Sequence, residues 1–368
     1  MKKLLLFALI VTSIYACTDV VNEVPNTPFN TTPYSFTYNK NLLPPARIPK
    51  DNVLTQEGVE LGRMLFYDPI LSADSTQSCS SCHNQKDGFT DNGLSFSVGI
   101  RGTKGKRNSM SIANLMWHLD GFFWDGRSDI LRHQALLPIV DPTEMDETIG
   151  NVVVKLSNSP MYKEAFEKAF GTMAINDETI GKSLEQFMLT LVSANSKFDR
   201  VMAGLETFTV QEQTGRTIFN AEAIPLNEEQ DPNNPQNFGA DCFHCHGNSL
   251  FMSREYLTNG LPNVTDLGRG RVNGNLRDNH KFKTTTLRNI EKTSPYMHDG
   301  RFGTLEEVVQ HYLGDMSDAS ADLSNEPNMH ALRDSVYLSE DHKAALVSFL
   351  KTLTDEEFLT KEEYSNPF

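Results

Sequence analysis

Cys79-Ser80-Ser81-Cys82-His83 and Cys242-Phe243-His244-Cys245-His246 are the two stretches that decide how this chain is built. Each reads Cys-x-x-Cys-His, the pattern that attaches a c-type haem. The two thiols add across the haem vinyl groups, and the adjacent imidazole is then placed to bind iron from one side. With 5 Cys and 10 His in 368 residues, chance supplies roughly 0.002 such pentapeptides per chain. Two occurrences therefore call for a cause. Zinc held by two Cys-x-x-Cys pairs leaves the following His unexplained both times. A disulfide across two residues is a strained closure. Four of the five Cys are used by the motifs, so only Cys17 remains.

Outward from the two motifs, an internal repeat appears. Gly62-Arg63-Met64-Leu65-Phe66 precedes the first, and Gly215-Arg216-Thr217-Ile218-Phe219 the second. A helical Gly with an aromatic four residues on allows two helices to cross closely. Downstream, Asp125-Gly126-Arg127 leads to Leu131, as Asp299-Gly300-Arg301 leads to Leu305. Ile180, Leu184, Phe187, Met188 and Leu191 fall at helical spacing and predict a closing helix, with Met188 in its core face. Ser339 reads as the N-cap of a matching helix carrying Leu346, Phe349, Leu350 and Leu353. The expected fold is mainly α, with two cytochrome c-like haem domains arranged as an internal duplication. The first, over 46–205, is expected to carry the reactive haem and the second, over 206–358, the electron-transfer haem. An acidic Pro- and Asn-rich insertion at 222–239 reads as a surface loop.

Residues 1–17 read as a lipoprotein signal peptide. Lys2 and Lys3 precede the apolar run Leu4–Ile14, which is too short to span a bilayer once mature. Ile14-Tyr15-Ala16-Cys17 resembles a lipoprotein box, so Cys17 is expected to carry the lipid anchor at the periplasm or cell envelope. Residues 18–45 read as a tether and wrapping arm, 359–368 as a tail, and the charged stretch 355–368 as frayed. The formal charge is −15, which argues against nucleic acid as a partner and suits a basic redox partner.

The duplication allows the two haem sites to be compared. His83 and His246 are the proximal ligands. In the second copy Leu305, Val308, Val309 and Tyr312 share one helical face, so Tyr312 is directed at haem while His311 is turned ~100° away. Met316, or no sixth ligand, is the alternative to Tyr312. In the first copy the equivalent position is Pro138, which has no side-chain atom for iron. Haem one is therefore expected to be open and haem two capped. An open haem that splits peroxide needs a proton shuttle. Glu144 and, more weakly, Asp146 follow the Pro138 turn, and Gln134 is placed to hydrogen-bond a bound oxygen. Trp124, beside the first Asp-Gly-Arg, aligns with His298 and suits a hopping step between haems.

These residues together resemble the bacterial di-haem cytochrome c peroxidase / MauG family over about 45–358. The resemblance rests on the paired motifs, Arg107-Asn108, Phe123-Trp124-Asp125-Gly126-Arg127, Gln134, Pro138, Glu144, Leu287-Arg288-Asn289, Pro295-Tyr296-Met297-His298-Asp299-Gly300 and Thr304-Leu305-Glu306-Glu307. It implies two covalently bound c-type haems with a calcium ion between them, held by the Asn108 side chain and the Thr293 and Pro295 carbonyls. It also implies that Glu144 and Gln134 act at the peroxidatic haem and that Trp124 bridges the two. Two positions depart from the peroxidases of the family. Ile100 stands where many carry a distal His, and Tyr312 stands where they have Met, as in the MauG members. A phenolate favours oxidised iron, whereas a thioether favours reduced iron. The expected activity is reduction of hydrogen peroxide at the first haem with electrons from a periplasmic donor such as cytochrome c. The alternatives are a MauG-like oxidase acting on a protein or small molecule through high-valent iron, and a di-haem electron carrier without peroxide chemistry.

Overall fold

The computed structural model describes residues 31–368, apart from 36, 92, 224–238, 315, 317, 322 and 324–337. The signal peptide, Cys17, the start of the arm and nearly all of the 222–239 insertion lie outside the described residues. The chain is mainly helical. The first copy contains α1 (Gln56–Tyr67), α2 (Cys79–Cys82), α3 (Leu131–Val140), α4 (Ile149–Asn158), α5 (Pro160–Phe170), α6 (Asp177–Thr190) and α7 (Lys197–Met202). The second contains α8 (Val210–Phe219), α9 (Cys242–His246), α10 (Arg269–Asn273), α11 (Leu305–Leu313), α12 (Glu340–Lys351) and α13 (Glu356–Thr360). The short strands β1 (Tyr256–Leu257) and β2 (Phe282–Lys283) pair antiparallel, with Tyr256 opposite Lys283. Among the described residues no helix is long and apolar enough to cross a membrane.

The duplication is visible in backbone detail. Helix α1 crosses α6, and α8 crosses α12. A Cβ on Gly62 would collide with the Ser183 carbonyl and lie 2.9 Å from Phe187 Cβ; one on Gly215 would collide with the Ala345 carbonyl and lie 2.9 Å from Phe349 Cβ. The same close crossing is thus made twice, by glycine against an i, i+4 pair. Gly215→Ala should lower stability by ~1–3 kcal/mol through overpacking, where an open helical site would gain ~1 kcal/mol from the same change. Thermal unfolding of the two proteins measures the sign.

Ser339 caps α12 by accepting from the His342 amide, and Leu346, Phe349, Leu350 and Leu353 are buried behind it. Two apolar clusters result. One gathers Leu61, Leu65, Phe66, Leu131, Ile180, Leu184, Phe187 and Met188; the other gathers Ile218, Phe219, Leu305, Val309, Leu346, Phe349 and Leu350. Arm residue Leu43 belongs to the first cluster. Nearby, the Trp117 indole donates to the carbonyls of Pro44 and Pro45.

A pair of asparagines in the left-handed region anchors each copy. Asn114 (φ 60°) and Asn289 (φ 63°) donate their amides to Leu191 and Leu353, at 2.8 and 3.0 Å. Their Oδ1 atoms accept from the amides of Ser193 and Asp355, at 2.9 and 2.8 Å. Asn tolerates this conformation better than other side chains. Between the copies, the fully buried Arg288 guanidinium grips Asp199 at 2.7 and 2.8 Å.

The end of the chain corrects the expectation of fraying. Phe358, Leu359 and Tyr364 are buried in the first cluster. Arg63 of α1 donates to the carbonyls of Ser365 and Glu362 at 2.6 and 2.7 Å. Gln85, just past the first haem motif, donates to Lys361 at 2.9 Å. The acidic side chains suggested solvent, but three apolar side chains and several backbone carbonyls are taken up by the first copy.

Candidate haem sites

The two attachment motifs sit on the short helices α2 and α9, and Cys242, Cys245 and His246 of the second face a cavity beside its core. None of the four motif cysteines forms a disulfide. Burial pushes the thiols of Cys79 and Cys242 up to about 12, so the apolar setting suits a thioether better than a free thiolate. His83 Nδ1 lies 2.9 Å from the Phe89 carbonyl, and His246 Nδ1 lies 2.7 Å from that of Phe251. A carbonyl only accepts, so Nδ1 carries the proton in each ring and Nε2 keeps its lone pair. This is the tautomer and outer hydrogen bond that a metal-binding imidazole requires. Burial lowers the pKa of both rings, that of His246 to about 4, which keeps them neutral. Phe89 and Phe251 hold φ of 59° and 53°, so a strained aromatic follows each His in both copies. The residues present therefore fit two c-type haems.

At the second site the cavity is lined by Cys242, Cys245, His246, Leu305, Val308, Val309 and Tyr312. The α11 face expected from spacing thus looks onto the attachment motif. Tyr312 lies close enough to Cys245 and Cys242 for their charges to act on it; burial is the larger effect, and together they raise its pKa. His311 is directed elsewhere, with Nε2 2.8 Å from the Asn259 carbonyl. Met316, the alternative ligand, packs at Gly260 and is not among the residues facing the cavity. Met297, missed in the sequence, does face it and accepts from Asn259 Nδ2 at 3.0 Å.

At the first site Pro138 lies inside α3. Its carbonyl accepts from the Met145 amide at 3.2 Å, folding the following segment back. That return brings Glu144 beside the motif, where its charge acts on both Cys79 and Cys82. Burial first, then the neighbouring Asp141, push the Glu144 carboxyl up to about 7, against the opposing pull of Arg127. The loop carrying Ile100 lies against it: the Ile100 amide donates to the Glu144 carbonyl at 2.9 Å. Gln77 of the same neighbourhood donates to the Val98 carbonyl at 3.0 Å. Gln134 is half-buried on α3, one turn before Pro138. Asp146 is drawn away from this group by Arg101, at 2.6 Å.

Between the sites, Asn108 joins the two copies. Its carbonyl accepts from the Trp124 indole at 2.8 Å, and its amide donates to the His298 carbonyl at 2.7 Å. Trp124 and His298 hold equivalent places, each in a loop closed by a backbone bridge, Phe122 to Ser128 and Tyr296 to Phe302. Trp124, Asn108, Thr293, Pro295 and His298 all line the second cavity. Arg107 ties this region down through Asp125 and Asp266, both at 2.6 Å.

The family model for di-haem cytochrome c peroxidase, which covers the MauG proteins, matches residues 56–207. The chain is 34% identical over 313 residues to the methylamine utilization protein MauG of Methylorubrum extorquens, covering 84% of this chain and 81% of that one. It is equally 34% identical over 304 residues to the cytochrome c551 peroxidase of Nitrosomonas europaea, covering 81% and 80%. Among solved structures it resembles a MauG-like protein associated with microbial copper homeostasis, with a TM-score of 0.79 and 30% identity, over 90% of this chain and 99% of that one. Two haem-attachment helices on a duplicated helical scaffold, with relatives of both kinds matched over at least 80% of each chain, make this chain a peroxidase-like oxidoreductase that belongs to the di-haem cytochrome c peroxidase / MauG family.

Proposed function

We propose that the chain reduces hydrogen peroxide at the haem held by Cys79, Cys82 and His83. Electrons are delivered from a periplasmic donor such as a small cytochrome c through the haem held by Cys242, Cys245 and His246. The observation that carries this reading is Glu144, folded back beside the first attachment motif with its carboxyl raised to about 7. The bound haems supply the electron-accepting iron and the two-electron chemistry. Reduction of peroxide to two waters consumes two electrons and two protons. Glu144 takes the proton from the nearer peroxide oxygen and returns it to the farther, leaving one. Gln134 would orient the peroxide by hydrogen bonding, and Pro138 would offer a bound haem no side-chain ligand. Tyr312 would supply an oxygen ligand to the second haem. Trp124, fixed by its bond to Asn108, lies on the route between the two.

Asn108, Thr293 and Pro295 would hold a calcium ion beside the Trp124 route. Amide and carbonyl oxygens are the hard, neutral donors that this ion takes, and all three residues face one cavity. Lipidation at Cys17 would tether the protein in the periplasm.

Steady-state oxidation of reduced cytochrome c by peroxide tests the reading; a protein that carries both haems but ignores peroxide would leave only an electron carrier. The pH profile tests the role of Glu144. Its ionised form is the base, so kcat/KM for peroxide should rise about tenfold per pH unit below about 7 and level off above it. A second reading is favoured by Tyr312: a phenolate-capped haem is a poor electron inlet, which suits a MauG-like oxidant of a protein or small molecule. Slow turnover with cytochrome c beside fast consumption of one equivalent of peroxide would select it.

A further inference from the structure

His118 and Lys283 face the second haem cavity with no role in the chemistry above. Both are more than nine-tenths buried, at 8% and 6% exposure. His118 Nε2 has no hydrogen-bond partner among the described residues. Lys283 is held by its backbone, pairing with Tyr256 in the two-stranded sheet and donating its amide to the Trp124 carbonyl at 2.8 Å. Its ammonium lies 5.8 Å from the centre of the Tyr256 ring, and no carboxylate comes within ion-pair reach of it among the described residues. The charges it feels are Asp120, which is favourable, and Arg269, which is not. The charge that acts on His118 is Lys283 itself, so the two stand together.

A buried ammonium set against an aromatic ring, beside a buried imidazole nitrogen without a partner among the described residues, is costly, and proteins keep such groups where a ligand completes them. Lys283 puts a positive charge on this part of the wall, inside a chain whose formal charge is −15. The missing partner is therefore an anion. The cavity is that of a haem fixed along its vinyl edge by Cys242 and Cys245, and a haem carries two carboxylates on the edge away from its vinyls. Lys283 stands beside Tyr256 and Trp124, on the cavity wall that also carries His118.

We propose that His118 and Lys283 form a carboxylate clamp, and that the carboxylate is a propionate of the C-terminal haem. Both are positioning residues: they fix the macrocycle beside Trp124 and place one positive charge against it. The proposal rests on a haem at Cys242, Cys245 and His246, which a pyridine haemochrome count of two haems per chain checks independently.

The test is a spectroelectrochemical titration of the holoprotein, with resonance Raman spectra of the propionate-bending region, for Lys283→Met, Lys283→Arg and His118→Asn. Lys283→Met should shift the midpoint potential of the C-terminal haem negative and leave the other haem unchanged, because a lost positive charge favours ferric iron. Lys283→Arg should restore it. Both Lys283→Met and His118→Asn should move one propionate band. Acetate added to the wild type should change neither readout. Unchanged potentials and bands in variants with two haems bound would overturn the proposal. So would a saturable response of the wild type to acetate that Lys283→Met abolishes, since the clamp would then serve a solute carboxylate. If Lys283→Met fails to fold, the His118→Asn Raman band decides alone.

Discussion

Glu144→Gln should lower kcat for peroxide reduction by ~10²–10⁴-fold, the usual worth of a positioned acid–base group. Haem content and the ferric spectrum should stay as in the wild type. Gln is nearly isosteric, and the backbone that carries residue 144 is fixed independently by the Met145 bond to Pro138 and the Ile100 bond to the residue 144 carbonyl. The change therefore removes a proton carrier and little else. The pH dependence should vanish with it, because the group pushed up to about 7 is gone. Stopped-flow mixing with peroxide separates binding from cleavage. A variant that keeps the wild-type rate would remove Glu144 from the mechanism and point to Gln134 or to water as the proton path.

Tyr312→Met should raise the reduction potential of the C-terminal haem by on the order of 0.1–0.3 V, within the ~0.8 V range over which axial ligands act. A phenol oxygen favours ferric iron, while a thioether favours ferrous iron. The substitution keeps an unbranched side chain on the α11 face that looks onto Cys242, Cys245 and His246. The variant should accept electrons from reduced cytochrome c faster than the wild type does. Tyr312→Phe, which removes the oxygen and keeps the ring, should give a C-terminal haem without that ligand, read as a changed ferric spectrum. An unchanged potential in both variants would mean that Tyr312 is only a wall of the cavity.

Much of this arrangement was legible because the chain says it twice. Gly62 and Gly215, Leu131 and Leu305, and the two Cys-x-x-Cys-His motifs are local patterns, and the first residues of α3 and α11 fall at the paired leucines. The stripe from Ile180 to Met188 and the Ser339 cap follow from helical period and cap chemistry, which depend on near neighbours in sequence. What escaped was long-range or conformational. Asn114 and Asn289 look like ordinary polar residues until their left-handed backbone shows each one closing a copy. Leu287-Arg288-Asn289 stood out as a motif, but nothing in its composition said that Arg288 would be buried on Asp199. His118 carried no pattern at all; its significance is an unmet nitrogen beside Lys283, 165 positions away, and only the fold brings them together. The closing segment misled because 355–368 carries five acids against four apolar side chains, and the spacing of Phe358, Leu359 and Tyr364 is too irregular to announce a face.

That closing segment has a consequence for how the protein comes into being. Phe358 and Tyr364 complete a core begun by α1, so the first copy is closed only when a segment from beyond the second copy folds onto it. Before that docking the first cluster lacks Phe358, Leu359 and Tyr364. Gln85, two residues past His83, reaches the Lys361 carbonyl, so the seating of this segment and the setting of the first attachment motif are mechanically joined.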